Sequence, residues 1–514
     1  MRKIICALFF ISGTLFSQVK KDSLVKKTIR TKIAYKKRVL EATEIDLLSS
    51  FYTQDGNNAA VTGGIGTEQL NDIAGNINIS IPLNDDDVLN IDATISAYSS
   101  ASSSNLNPFY NPNNKDDDEY GSSRKNKIIR AISGASTSST TDDENKETPL
   151  TTSSETSTTI RGTPWVASSG ASKKDVWVSG VVGYGHSSDD RNSIYKVHIS
   201  FANEFDYSSF GGGIGFTKLF NQKNTEMGIN ANVYIDNWKP VYPSEIKTFK
   251  AHKGNLNTSF FNGVDIYNQQ GVAINKNSLS AWKPINTNLV DTNARNSYSV
   301  SLNFSQILSK NSQIAIFADF LLQQGWLANP MQRVYFSDKP NFYIGEKKYI
   351  SNYTNSKNKG VFQLADDIER LPRTRTKIPI GVRYHYYINE KLTLRTYYRY
   401  YFDNWGITSQ TFNVEFPIKL GEKYTMYPSF RFYNQTQSDY FAPYEQHLST
   451  EVFYTSDYDL SKYSANQYGI GLRYTDIFTS FFGLKNINFN YHFYKRNTGL
   501  TAHIISFGVK FVLE

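Results

Sequence analysis

Residues 377–403 read KIPIGVRYHYYINEKLTLRTYYRYYFD, and their spacing decides the fold. Ile378, Ile380, Val382, Tyr384, Tyr386 and Ile388 fall on one side of an extended chain, with Lys377, Gly381, Arg383 and His385 on the other. After a short turn at 389–391, Leu394, Thr396, Tyr398, Tyr400 and Phe402 alternate with Arg395, Tyr397, Arg399, Tyr401 and Asp403. Strict period-two alternation over more than ten residues describes two long strands, each with one apolar and one polar face. The pattern repeats along the chain. It holds in Ile77, Ile79, Ile81 and Leu83, then, after Asn84-Asp85-Asp86-Asp87, in Leu89, Ile91, Ala93, Ile95 and Ala97. It returns at 176–184, 195–201, 227–235, 298–304, 314–320, 412–418, 430–432, 468–474, 487–493 and 505–513.

Alternation alone does not separate a soluble sandwich, whose apolar faces meet in a dry core, from a barrel whose apolar face meets lipid. Strand length favours the barrel, because many segments run 10 to 13 residues and about 9–11 tilted residues cross a hydrocarbon layer. Tyr384, Tyr386, Tyr398, Tyr400 and Phe402 are read as lying toward the strand ends away from the short turns, as an interfacial girdle. Connection lengths carry most weight. Those at 84–87, 186–193, 221–226, 308–312, 389–391 and 419–423 are short, while the alternate ones include 99–175, 238–295 and 324–375. Short turns at one end and long loops at the other mark an outer-membrane barrel. The expectation is all-β: a closed antiparallel transmembrane barrel of about 16 strands, between 14 and 18, with periplasmic turns and extracellular loops. Fifteen strands follow residue 72, and residues 57–67, with Val61 and Ile65 among glycines, are expected to supply the sixteenth. Whether loops 238–295 or 324–375 fold inward as a plug is left open.

Arg2 and Lys3 precede an apolar stretch from Ile4 to Phe16, the parts of a secretory signal peptide. Cleavage after Ser17 would remove Cys6, the chain's one cysteine. The expected division is therefore 1–17 signal peptide, 18–56 basic periplasmic arm and 57–514 barrel. The chain has 55 Lys and Arg against 47 Asp and Glu. Nine of those cations, against one acid, lie in residues 20–38, so the basic excess belongs to the arm and not to a folded face. A nucleic-acid surface is not expected. The arm could touch anionic lipid or an acidic partner, or serve as a solvated tether.

The end of the chain, with Ser506, Gly508, Phe511 and Leu513, resembles the signal read by the outer-membrane assembly machinery, although Glu514 replaces the usual final aromatic. Two passages resemble an uncharacterised family of outer-membrane β-barrel proteins typical of Bacteroidota. They are Ser49-Ser50-Phe51-Tyr52-Thr53-Gln54-Asp55-Gly56-Asn57-Asn58-Ala59-Ala60-Val61-Thr62-Gly63-Gly64, and Asp457-Tyr458-Asp459-Leu460-Ser461 with Gln467-Tyr468-Gly469-Ile470-Gly471. The resemblance spans roughly residues 40–514. It implies no catalytic residues, but it does imply genes for thioredoxin-like and flavin-transferase proteins nearby.

The polar faces bring Arg383, Arg395, Arg399, Arg431 and Arg473 near Asp403 and Glu415. Such a stripe can select anions, or it can fill the interior with paired charges. Asp116-Asp117-Asp118-Glu119 lacks the alternate ligand spacing of a calcium loop, and residues 133–163 read as a Ser/Thr-rich surface loop. The seven histidines show no metal-ligand spacing, and His186-Ser187-Ser188-Asp189-Asp190 reads as a turn more readily than as a triad, which is assembled across a fold. No cofactor, metal or catalytic residue is expected. The reading is a channel, or a scaffold for extracellular loops, whose partners are outer-membrane lipid, the assembly machinery and an unidentified periplasmic or surface protein. The alternatives are a hydrolase at the barrel rim and an accessory of a thiol or flavin redox system.

Overall fold

A computed structural model describes residues 38–100, 174–345, 347–353, 361–476 and 483–513. The signal peptide, most of the basic arm, most of loop 99–175 with its acidic run, and Glu514 lie outside the described residues. Sixteen long strands follow one another around a ring. They are β1 Thr43–Asp55, β2 Leu70–Pro82, β3 Asp87–Ser100, β4 Lys174–Ser187, β5 Ser193–Asn203, β6 Tyr207–Phe220, β7 Thr225–Trp238 and β8 Asn293–Ser309. The ring continues with β9 Ser312–Gly325, β10 Thr374–Asn389, β11 Leu392–Asp403, β12 Thr408–Glu415, β13 Tyr424–Gln435, β14 Tyr463–Thr475, β15 Leu484–Arg496 and β16 Thr501–Leu513. Each strand pairs antiparallel with its chain neighbours, and β12 resumes at Ile418–Lys419 beyond Pro417, whose missing N–H breaks the ladder. The sheet closes where β1 pairs with β16 from Thr43↔Leu513 to Asp55↔Thr501. Closure removes the edges that strands of this length would otherwise expose.

Two expectations are corrected here. The sixteenth strand is Thr43–Asp55 and not residues 57–67, so the barrel begins inside the stretch assigned to the arm. Residues 57–67 instead leave the wall through a short helical turn at Ala60–Thr62. The aromatic girdle is also divided. Tyr386 pairs with Leu394 next to the short turn, whereas Tyr400 pairs with Ile380 nearer the loop end. The rings therefore form two belts, with Tyr384 stacked on Tyr386 at one level and Tyr400 against Phe402 at the other.

The apolar face points outward. Leu47, Val182, Ile199, Ile214, Ile235, Leu302, Phe412, Ile470, Phe489 and Phe507 are all exposed. An apolar belt around a closed ring is stable only against hydrocarbon, since in water it would be a patch far larger than monomers tolerate. At the turn end, Asn84 Oδ1 accepts from the N–H groups of Asp86 and Asp87 at 2.8 and 3.0 Å, which sets the tight β2–β3 turn.

The loop end is built differently. The described residues of 239–292, 326–353 and 361–373 fold together around a core of Ile246, Phe261, Trp282, Tyr335, Ile344 and Ile368. They carry the only α-helix among the described residues, α1 at Ser244–Ala251, and two small sheets. One sheet joins 267–268, 342–345 and 361–363, and the other joins 333–334 with 367–368. The Trp282 indole N–H donates to the Ala365 carbonyl at 3.1 Å across this core.

Candidate functional site

The interior of the ring is polar, and five of its arginines share one wall. Inward cations gather on β10 to β14 as Arg383, Arg395, Arg399, Arg431 and Arg473, with Glu415 among them. The register makes Arg395 a neighbour of both His385 and Glu415, and its Nη1 donates to Glu415 Oε1 at 2.8 Å. Aromatic rings hold these guanidinium groups as well. Arg383 lies 5.4 Å from the Phe317 ring and 5.6 Å from that of Tyr397, which are themselves stacked at 5.8 Å. Arg395 and Arg473 flank one ring, that of Tyr427, at 5.8 and 5.3 Å. Arg399 lies over Tyr401, and Arg473 Nε donates to Asn488. A planar guanidinium stacks on an aromatic face without losing its charge, so the wall stays cationic and rigid together.

Inward carboxylates include Asp72 on β2, Asp92 on β3, Glu226 on β7 and Asp319 on β9, the last beside the arginine wall, while Lys510 of β16 pairs with Glu44 and Asp46 of β1. β2 and β3 are eight strands from β10 and β11 in the ring of sixteen, on the far side of the interior. Asp92 accepts from Asn76 Nδ2 at 3.0 Å and Asn78 Nδ2 at 3.3 Å, and Glu226 accepts from Asn303 Nδ2 at 3.3 Å. The alternation of β2 and β3 already placed Asp72 and Asp92 on the polar face, so these two were within reach of the sequence.

Of the residues read as one stripe, six share the wall and Asp403 does not belong with them. It lies at the loop end in a fully buried pair with Arg375, whose Nε donates to Asp403 Oδ2 at 2.9 Å. Tyr401 Oη, Trp405 N and Ile407 N also donate to Asp403, at 2.7, 2.9 and 3.0 Å. Arg375 in turn packs on the Trp405 ring at 4.3 Å. Asp403 closes the β11–β12 corner and is structural. Nothing in the alternation separates a corner carboxylate from one facing the interior.

The mouth above the wall is bridged. Arg333, after β9, donates from Nη1 to the Val61 carbonyl, after β1, at 2.9 Å, while its Nε pairs with Glu245 at 2.7 Å. β1 and β9 are diametrically opposite, so these buried bonds cross the mouth. The two family-resembling passages meet in the same place. Gly64 has φ of 92°, and a Cβ there would lie 2.8 Å from the Ser456 carbonyl oxygen, a contact only glycine permits. Asn58 Nδ2 donates to the Thr498 carbonyl at 3.0 Å. The described residues of 56–69, 239–292, 326–353, 361–373 and 436–462 thus form one roof, a feature that no strand periodicity announces.

The hydrolase-like run is dispersed. His186 Nδ1 bonds Asp87 at 2.7 Å, and Ser188 Oγ donates to its own turn at Asp190, 2.5 Å away. Of the C-terminal signal residues, Ser506 faces inward and accepts from Asn490 Nδ2 at 3.3 Å, while Leu513 is exposed. Phe511 pairs with Ile45 of β1 and Gly508 with Leu48.

A family model described as "Protein of unknown function (DUF3570)" matches residues 74–504, which includes the second of the two family-resembling passages and excludes the first. No curated protein matches the chain. Solved structures similar to it include a bacterial polysaccharide outer-membrane secretin, at 7% identity and TM-score 0.38, covering 91% of this chain and 98% of that one. The outer-membrane protein OpdK from Pseudomonas aeruginosa is similar at 7% identity and TM-score 0.33, covering 92% and 99%. OccK2 (OpdF) of Pseudomonas aeruginosa, solved in complex with glucuronate, is similar at 10% identity and TM-score 0.34, covering 93% and 100%. At such scores the fold rests on the chain's own strand pairing.

Proposed function

From the premise that this chain belongs to the DUF3570 family of proteins of unknown function, we propose that it is an outer-membrane channel whose interior favours anions. The observation that carries this is the closed sixteen-strand ring with an apolar belt outside and a row of ring-stacked arginines inside. Lipid satisfies the belt, and a cationic wall raises the local concentration of anions along the path. The reading includes export behind a signal peptide cleaved after Ser17, and insertion by the assembly machinery through Ser506, Gly508, Phe511 and Leu513. The periplasm then holds the short turns, and the roof faces outward.

Single-channel recording in a planar bilayer tests it. The expected result is a low-conductance, anion-preferring current. Arg395→Glu combined with Arg399→Glu should move the reversal potential toward cation preference. Unchanged selectivity would reduce the arginines to interior filling. A correctly inserted barrel that never conducts would overturn the channel and leave a scaffold for the roof.

A further inference from the structure

Within the roof, segments 326–373 and 436–462 are joined by a reciprocal exchange of buried carboxyl groups. Glu369, from the first segment, accepts from the Thr455 hydroxyl of the second. Asp457, from the second, accepts from Gln332 Nε2 of the first at 2.9 Å. The two sites share an atom, because the same Thr455 Oγ1 also accepts from the backbone N–H of Asp457 at 3.0 Å. Asn329 N–H adds a 2.6 Å bond to the other oxygen of Glu369, and Asp459 N–H a 2.9 Å bond to Asp457. Glu369 is 4% exposed and Asp457 8% exposed. Thr455 thus links the carboxyl of Glu369 to the backbone of Asp457, and two carboxyl groups buried in one dry seam cannot both ionise cheaply.

We propose that Glu369 and Asp457 form a proton-operated latch in the roof. While these carboxyls keep their protons, the two loop segments stay joined; as they ionise, the seam parts and the mouth is uncovered. The latch stands on the roof's geometry and does not require that the barrel conduct.

The surroundings support the direction. Burial, and then the charge of Asp457, push Glu369 up to about 8. Burial and the neighbouring Asp459 push Asp457 up as well. Glu68, from the loop after β1, is another buried carboxyl near Asp459, raised to about 7 by burial. Arg496, at the end of β15, is bonded to Asp459. On the outer side of Thr455, its carbonyl contacts His447 Nε2 at 2.9 Å, and His447 pairs through Nδ1 with Glu451. Beside them Tyr454 and Arg370 are both engaged with Asp367. A carboxyl whose pKa is higher in the closed seam than in the open one stabilises the closed form fully at low pH. That stabilisation is lost as pH rises from the ordinary carboxylate range, about 4, through the raised value, about 8.

Hydrogen exchange on the full-length protein in detergent reads this without any current. Protection factors, which divide out the intrinsic pH dependence of exchange, should fall at least about tenfold in 326–345 and 440–461 between about pH 5.5 and about pH 9. The barrel strands should stay unchanged. Glu369→Gln, and separately Asp457→Asn, should flatten that fall, since each leaves a neutral group at the seam. Retained heat-modifiable mobility on an unboiled gel shows that each variant has closed its barrel. Protection that does not change with pH in the wild type overturns the latch, and so does a folded Glu369→Gln variant that opens like the wild type. If neither variant folds, the wild-type titration alone decides. A barrel that never conducts but loosens its roof with pH would sink the channel and keep the latch.

Discussion

At the scale of single residues, the corner between β11 and β12 shows how an interior charge is kept. Asp403 takes donors from Arg375, Tyr401, Trp405 and Ile407, and both members of the ion pair are fully buried. Removing one partner of such a pair leaves the other charged and dry, which costs about 3–5 kcal/mol. Asp403→Asn should therefore lower the temperature at which the compact, heat-modifiable band is lost, whereas changes to the exposed Asp439 should not. Asp403 also marks a limit of sequence reading. It alternates in phase with Arg395 and Arg399, so periodicity assigns it to the same stripe. Only its position at the last residue of a strand, beside a tryptophan corner, sets it apart.

At the scale of elements, the strands were legible wherever the outward positions were mainly apolar. β1 was not. Its outward row of Ile45, Leu47, Ser49, Phe51 and Thr53 is interrupted by two small hydroxyl residues, which blurs the period-two signal that hydrocarbon contact normally enforces. Its inward row contains Leu48, which blurs it further. Glycines at 63, 64 and 66 looked like a strand's permissive face, but their φ values of 76°, 92° and 98° belong to a turning loop. The belt itself makes a direct prediction. Ile199, in the middle of β5, is 57% exposed. Ile199→Arg should destabilise the barrel by about 2–4 kcal/mol in lipid if the site lies near the midplane, read by denaturant-induced unfolding in vesicles. The inward neighbour Ser200, changed to Asn, should cost far less.

At the scale of the whole molecule, the ring was readable and the roof was not. Parity of connection length places every long loop at one end, but the core that the loops after β7 and β9 share, with Trp282, Phe261, Ile344 and Ile368, has the irregular spacing of short pieces folding on one another. No window of sequence says that residue 61 will bond residue 333. The bond that crosses the mouth predicts a functional phenotype of its own. Arg333→Met removes the ion pair with Glu245 and the bond to Val61. In the channel reading it should raise the open probability in planar bilayers while leaving ion preference intact, because the arginines of β10–β14 are untouched. Unchanged gating would mean that the roof holds without its diametric tie.

The tie joins stretches of chain about 270 positions apart, and the seams around it involve residues near 369 and 457 as well. These pieces come together from loops that leave the wall after β1, β9 and β13. They do so without covalent staples, because the one cysteine in the sequence is Cys6. Assembly of the roof thus asks nothing of oxidising enzymes: no thiol has to be matched, and a mispaired intermediate has no bond to trap it.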